Sequence, residues 1–178
     1  DNKAEEHDYD IYNRKIVWEN ENNTGQQIII YDIDSKNITQ IPFYKISDPF
    51  QYHPRIYNNK VVWAIDGWDF EEDGNTYDYF YIDLTTNEIK KINSFLGGIH
   101  DVKFYGDIMY YNDYRNKTMG PYSYNIITNE EEKINYIDSL QIESDIGENY
   151  VVWRYENKTY VYDIEKNREK EIKSKILS

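Results

Sequence analysis

A seven-residue pattern ending in an aromatic recurs four times along this chain and sets the period of everything around it. It reads Tyr12-Asn13-Arg14-Lys15-Ile16-Val17-Trp18, Tyr57-Asn58-Asn59-Lys60-Val61-Val62-Trp63, Tyr105-Gly106-Asp107-Ile108-Met109-Tyr110-Tyr111 and, more loosely, Gly147-Glu148-Asn149-Tyr150-Val151-Val152-Trp153. The closing aromatics at 18, 63, 111 and 153 stand 45, 48 and 42 residues apart. Such a period marks a chain built by repetition, in which each unit buries its apolar surface against its neighbours. A second marker follows in every unit: Tyr31-Asp32-Ile33, Tyr81-Ile82-Asp83-Leu84, Tyr124-Asn125-Ile126 and Tyr162-Asp163-Ile164. Four units nearly fill the 178 residues, so one domain over residues 1–178 is expected.

Each unit is rich in Tyr, Ile, Val and Trp, residues that suit pleated, half-buried strands, and no stretch carries a helical period. The spacing predicts four antiparallel strands per unit, over approximately 8–46, 53–95, 101–138 and 144–175. The first strand of the last unit, near Ser144-Ile146, is the weakest. An all-β propeller of four four-stranded blades is the fold this predicts. Asn87, Asn129 and Asn167 share one place in the third turn of their units, where positive φ is wanted.

Loop lengths vary in one place only. From the marker aromatic to the following Asp or Asn the distances are 14 (18 to 32), 20 (63 to 83), 14 (111 to 125) and 10 (153 to 163), whereas the other turns hardly change. Variation is thus confined to the second-to-third loops, 20–26, 66–76 and 112–120 among them. In repeat proteins that face often binds.

Blocks such as His53-Pro54-Arg55-Ile56-Tyr57-Asn58-Asn59-Lys60-Val61-Val62-Trp63, followed by Asp78-Tyr79-Phe80-Tyr81-Ile82-Asp83-Leu84-Thr85-Thr86-Asn87-Glu88, resemble TolB-like β-propeller repeats of archaeal and bacterial surface proteins. The resemblance covers all four units. It implies scaffolding and protein contact, with enzymes among the members; some degrade polysaccharides with a histidine-bound metal at the channel mouth. Family members commonly have six or seven blades. Four could form a complete small propeller, a part of a larger one or half of a homodimeric ring, and four complete units favour a self-contained one.

The formal charge is -13, from 33 acids and 20 bases, so the surface repels phosphate backbones and anionic lipid. Nucleic acid is excluded as a partner, and so is membrane insertion by a helix, since no apolar run reaches the roughly 20 residues needed. Cysteine is absent, which rules out disulfides and thiolate metal sites.

Three histidines, His7, His53 and His100, stand 11, 10 and 11 residues before their marker aromatics, on the side of the variable loops. They are candidate ligands for a transition metal such as zinc or manganese. The competing reading has each bracing its own blade connection by a hydrogen bond, as a comparable histidine does in WD40-type blades. In the second unit, Asp69, Glu71 and Asp73 followed by Gly74 mimic the start of a calcium loop, but the twelfth position is Phe80 where a bidentate acid is required. Asp66 and Trp68 join them as candidate ligand contacts, against a reading as a solvated acidic loop whose indole caps the blade. The aromatics Trp18, Trp63, Tyr111 and Trp153 are packing residues. No nucleophile elbow, phosphate loop or His-Glu-x-x-His helix occurs. Sequons at Asn22, Asn37, Asn116 and Asn157 fit a glycosylated exterior.

The functional expectation is a non-catalytic binding or assembly module, extracellular or on a cell surface, that holds a protein or surface polysaccharide through its variable loops. A metal-dependent polysaccharide lyase or hydrolase and a purely structural segment of a surface-layer protein are the alternatives.

Overall fold

The computed structural model describes residues 5–22, 25–42, 51–69, 74–96, 99–113, 120–134, 143–147, 150–155, 158–166 and 168–172. They form sixteen strands and no helix. The chain divides into two compact units, Asp1–Gly98 and Ile99–Ser178.

The first unit holds β1 (Glu5–Tyr12), β2 (Lys15–Asn22), β3 (Gly25–Asp32) and β4 (Ile38–Gln40) in one antiparallel sheet. A second sheet contains β5 (Gln51–Tyr57), β6 (Lys60–Asp69), β7 (Gly74–Asp83) and β8 (Glu88–Leu96). In the second unit, β9 (Ile99–Tyr105), β10 (Ile108–Asp113), β11 (Gly120–Asn125) and β12 (Glu131–Lys133) make the third sheet. The fourth consists of β13 (Glu143–Gly147), β14 (Tyr150–Tyr155), β15 (Lys158–Asp163) and β16 (Arg168–Ile172). Every sheet follows chain order, as hairpin-connected strands do, and every strand expected from the sequence lies on an observed one.

Turn chemistry explains the regularity. Asn13 and Arg14 both have positive φ, as a type I′ hairpin requires, and Asn58 and Gly106 take positive φ at the same place in their sheets. In the third turns, the marker Asp or Asn accepts from backbone amides just ahead of it. Asp32 Oδ1 takes the N–H groups of Asp34 (3.1 Å) and Ser35 (2.9 Å), Asp83 Oδ1 that of Thr85 (2.8 Å), Asn125 Oδ1 those of Ile127 (2.9 Å) and Thr128 (3.1 Å). Asp163 Oδ1 receives the Lys166 N–H at 3.1 Å. The chain then turns through positive φ at Lys36, Asn87 and Asn129, in agreement with the expectation for the two asparagines. Asn167 lies outside the described residues.

Within unit one, Val17, Ile28, Ile30 and Ile41 of the first sheet pack against Ile56, Val61, Trp63, Ile65, Phe80 and Ile82 of the second. Within unit two, Tyr110 with Ile108 and Ile134 packs against Val151, Trp153 and Tyr162. The marker aromatics are core residues, as expected for Trp63, Tyr111 and Trp153, which are buried; Trp18 is half-buried. Trp63 stacks on Phe80 (5.9 Å between centroids), Tyr111 on Tyr122 (6.0 Å) and Trp153 on Tyr160 (5.6 Å), each across the second-to-third strand pair.

One expectation changes. The segment 66–75 is not a free loop: Asp66 pairs with Tyr77, Gly67 with Thr76, Trp68 with Asn75 and Asp69 with Gly74, extending β6 and β7 into a long hairpin. Aromatic and β-branched residues opposite one another carry the pairing outward, and only 70–73 remain to form a tip. The side chains of Asp66, Trp68 and Asp69, and all of Glu71 and Asp73, lie outside the described residues.

Candidate functional site

Three sheets share an irregularity opposite the marker aromatic. In the first, His7 pairs with Glu19 and Tyr9 with Trp18, which leaves Asp8 as an extra residue in β1. The second pairs Tyr52 with Ala64 and Arg55 with Val62, so His53 and Pro54 together oppose Trp63. In the third, Lys103 pairs with Tyr110 and His100 with Asn112, setting Asp101 and Val102 against Tyr111. The fourth sheet runs through the equivalent stretch, Glu143 to Gly147 against Arg154 to Tyr150, without a shift. A bulge bends the strand and re-aims the side chain of the inserted residue. Asp8 and His53 both carry it at positive φ, 37° and 54°.

The two re-aimed side chains meet. His53 Nδ1 lies 2.8 Å from Asp8 Oδ2 and 3.9 Å from Glu19 Oε1, while the His53 backbone N–H donates to Glu19 Oε1 at 2.6 Å. Arg55 Nη1 donates to Asp8 Oδ1 (2.7 Å) and to the Pro54 carbonyl (2.7 Å). Asp10 Oδ2 accepts the Ile56 N–H at 2.9 Å. A further link is made by Gln51, fully buried, whose Oε1 accepts the Ile28 N–H (3.0 Å) and whose Nε2 donates to the Pro42 carbonyl (3.3 Å). Polar side chains thus stitch β5 to the first sheet along the rim of the apolar core.

Glu19 is 4% exposed, which makes it the buried charge of the group. Burial works to raise the Asp8 pKa, but the hydrogen bonds from His53 and Arg55 and their positive charge outweigh it and hold the carboxyl below the usual range.

Asp8, Glu19 and His53 also offer three ligand atoms within 4.8 Å of one another. First-row metals bind nitrogen and oxygen at about 2.0–2.2 Å, which sets neighbouring donors roughly 3 Å apart, and one imidazole with two carboxylates suits zinc or manganese. The residues fit a divalent cation.

Of the three histidines, His53 is brought into this cluster. The side chains of His7 and His100 lie outside the described residues; their backbones pair with Glu19 and Asn112 respectively. Asp8, Glu19 and Arg55 did not stand out in the sequence. The signal was the distance to the marker: His7 and His100 precede theirs by 11 residues and His53 by 10, so Asp8, at 10, is the register equivalent of His53.

The cluster lies away from the Tyr-Asn turns. Asp8 and His53 fall in the halves of β1 and β5 remote from those turns, and Glu19 stands towards the Asn22 end of β2. This is the end of each sheet that carries the second hairpin.

No protein-family model matches the chain, and no curated protein matches it in sequence. Solved structures do. The β-propeller domain of the Trilobed protease from Pyrococcus furiosus is similar over 97% of this chain and 58% of its own, with TM-score 0.68 and 11% identity. TolB from Acinetobacter baumannii matches over 84% of this chain and 38% of its own, with TM-score 0.59 and 17% identity. An oligogalacturonate lyase in complex with manganese matches over 88% and 49%, with TM-score 0.60 and 14% identity. The chain spans less than two thirds of the length of each. At these identities the likeness is one of fold: antiparallel sheets arranged as in β-propellers.

Proposed function

We propose that residues 1–178 form a four-bladed propeller domain, exported or displayed at a cell surface, that binds a protein or a surface polysaccharide at the end bearing the second hairpins. One observation carries this reading: that end varies and the other does not. Two residues separate first from second strands in every sheet, whereas β6 and β7 run ten residues each against six in β10, β11, β14 and β15. Constant turns serve the frame, and variable hairpins on a rigid frame are where recognition resides. Asp66, Trp68, Asp69, Glu71 and Asp73 supply an aromatic and carboxylates to the longest of them.

The test is a binding screen of the purified chain against bacterial and archaeal surface polysaccharides and surface proteins. A variant in which 67–75 is replaced by Asn-Gly is screened in parallel. A ligand lost in the shortened variant, with its circular dichroism unchanged, supports the reading. Equal binding by both proteins, or none by either, defeats it.

The Asp8, Glu19 and His53 cluster favours a second reading, a metal-dependent polysaccharide lyase or hydrolase. A likeness to the manganese-bound oligogalacturonate lyase supports it only through the fold. Stoichiometric metal in the purified chain together with release of unsaturated or reducing sugar ends would establish this reading over the first.

A further inference from the structure

Register equivalence between the sheets isolates two faces. In unit one, the contact between sheets joins unlike faces: the marker face of the second sheet, with Ile56, Val61 and Trp63, covers a valine face of the first, with Val17 and Ile41. Unit two repeats it, with Val151 and Trp153 over Tyr110 and Ile134. Each sheet therefore has one face of each kind.

The marker face of the first sheet carries Ile11, Ile16 and Trp18, at the positions of Ile56, Val61 and Trp63. Ile11 is 60% exposed where Ile56 is 2%, and Tyr9 is 79% exposed where Val102 of the third sheet is 3%. Ile38 on β4 extends the same exposed face. On the fourth sheet it is the valine face that stands open. Val152 takes the position of Val17 and is 37% exposed against 0%; Ile172 takes that of Ile41 and is 46% exposed against 1%. Tyr150 lies beside them, also exposed. Large contiguous apolar surface of this kind marks an association site.

The two open faces are the complementary halves of the contact already made between the first and second sheets. We propose that the marker face of the first sheet in one copy is covered by the valine face of the fourth sheet in a second copy. Such a head-to-tail contact, made twice, closes a two-chain ring. A second copy is the occupant because this chain already carries both halves, each with the residue types that its buried equivalents use.

The experiment is light scattering on the purified chain from low to high micromolar concentration, with Ile11→Glu and Ile172→Glu alone and mixed. The wild type is expected at twice the chain mass and each variant at half that value, with the fold retained because both positions are exposed. Mixing the variants restores association, since Ile11→Glu keeps an intact valine face and Ile172→Glu an intact marker face. Should either variant lose its circular dichroism spectrum, Ile11→Gln and Ile172→Gln replace them. A wild-type monomer at all concentrations overturns the proposal. So does a dimer broken by only one of the two variants, or a mixture that stays monomeric.

Discussion

Asp8 and His53 hold the same register position in consecutive repeats, each the re-aimed residue of a strand bulge, and they meet at 2.8 Å between Oδ2 and Nδ1. A repeated local defect has become a link between two sheets. Removing either partner leaves the other without a hydrogen bond in half-buried surroundings, so Asp8→Asn and His53→Ala are each expected to lower unfolding stability by about 1–3 kcal/mol in urea titrations. The double variant should lose less than the sum, because the two act on one contact. Additive losses would show that the link carries no coupling.

Acid should weaken this link in a defined window. The Asp8 carboxyl has a folded pKa below its unfolded value, so its contribution is fully present above about pH 4 and disappears as the pH falls through the folded pKa. In the variant Asp8→Asn the acid limb of the stability curve below pH 4 should be shallower than in the wild type. Asp32, Asp83 and Asp163 are also lowered, by bonds from Ser35, Thr85 and Lys166 respectively, and keep part of the slope in the variant. An unchanged limb would contradict the assignment.

Trp63 is wholly buried and stacked on Phe80, and its indole N–H has no hydrogen-bond partner among the described residues. Trp63→Ala should cost about 3–5 kcal/mol by opening a cavity. Trp63→Phe should cost less than about 2 kcal/mol, because no polar contact is lost and the ring is kept. Comparable losses in the two variants would mean that the nitrogen is bonded after all.

Lys36 adopts φ 59° in the place that asparagine fills in two later repeats. A left-handed conformation burdens a residue with a long side chain, so Lys36→Gly should raise the denaturation midpoint, by up to about 1 kcal/mol, with the m-value unchanged. Asn87→Ala should move the other way by a similar amount. The reverse order of midpoints would refute a conformational origin.

Manganese or zinc titrated into the purified chain by calorimetry should bind with one site per chain if Asp8, Glu19 and His53 act as ligands, and His53→Ala should abolish the heat. Binding that persists in His53→Ala would place the cation elsewhere.

The strands were legible in the sequence because alternating Tyr, Ile and Val leave little choice, and the turns because Asn and Gly announce positive φ at Asn13, Asn58 and Gly106. The site was half legible. His53 was visible as a histidine near the variable loops, but its partners were hidden by the one-residue bulge, which slips Asp8 into the register that His7 holds when distances are counted from Trp18. Glu19 could not be singled out among 33 acids, since only the packing of β2 against β5 makes it a buried charge. The reach of β6 and β7 was missed for another reason: Asp, Gly and Asn at 66–75 read as loop formers, whereas cross-strand pairing overrides that preference.

The unlike faces of the sheets have a bearing on descent. Where every unit meets the one before it through a marker face and the one after it through a valine face, a segment of about 45 residues copied in tandem arrives with both contacts already matched. Such a gene can lengthen or shorten by whole units through unequal crossing-over, with no simultaneous change needed elsewhere. Differences between units can then accumulate afterwards, first in the second hairpins, where nothing packs against the added length.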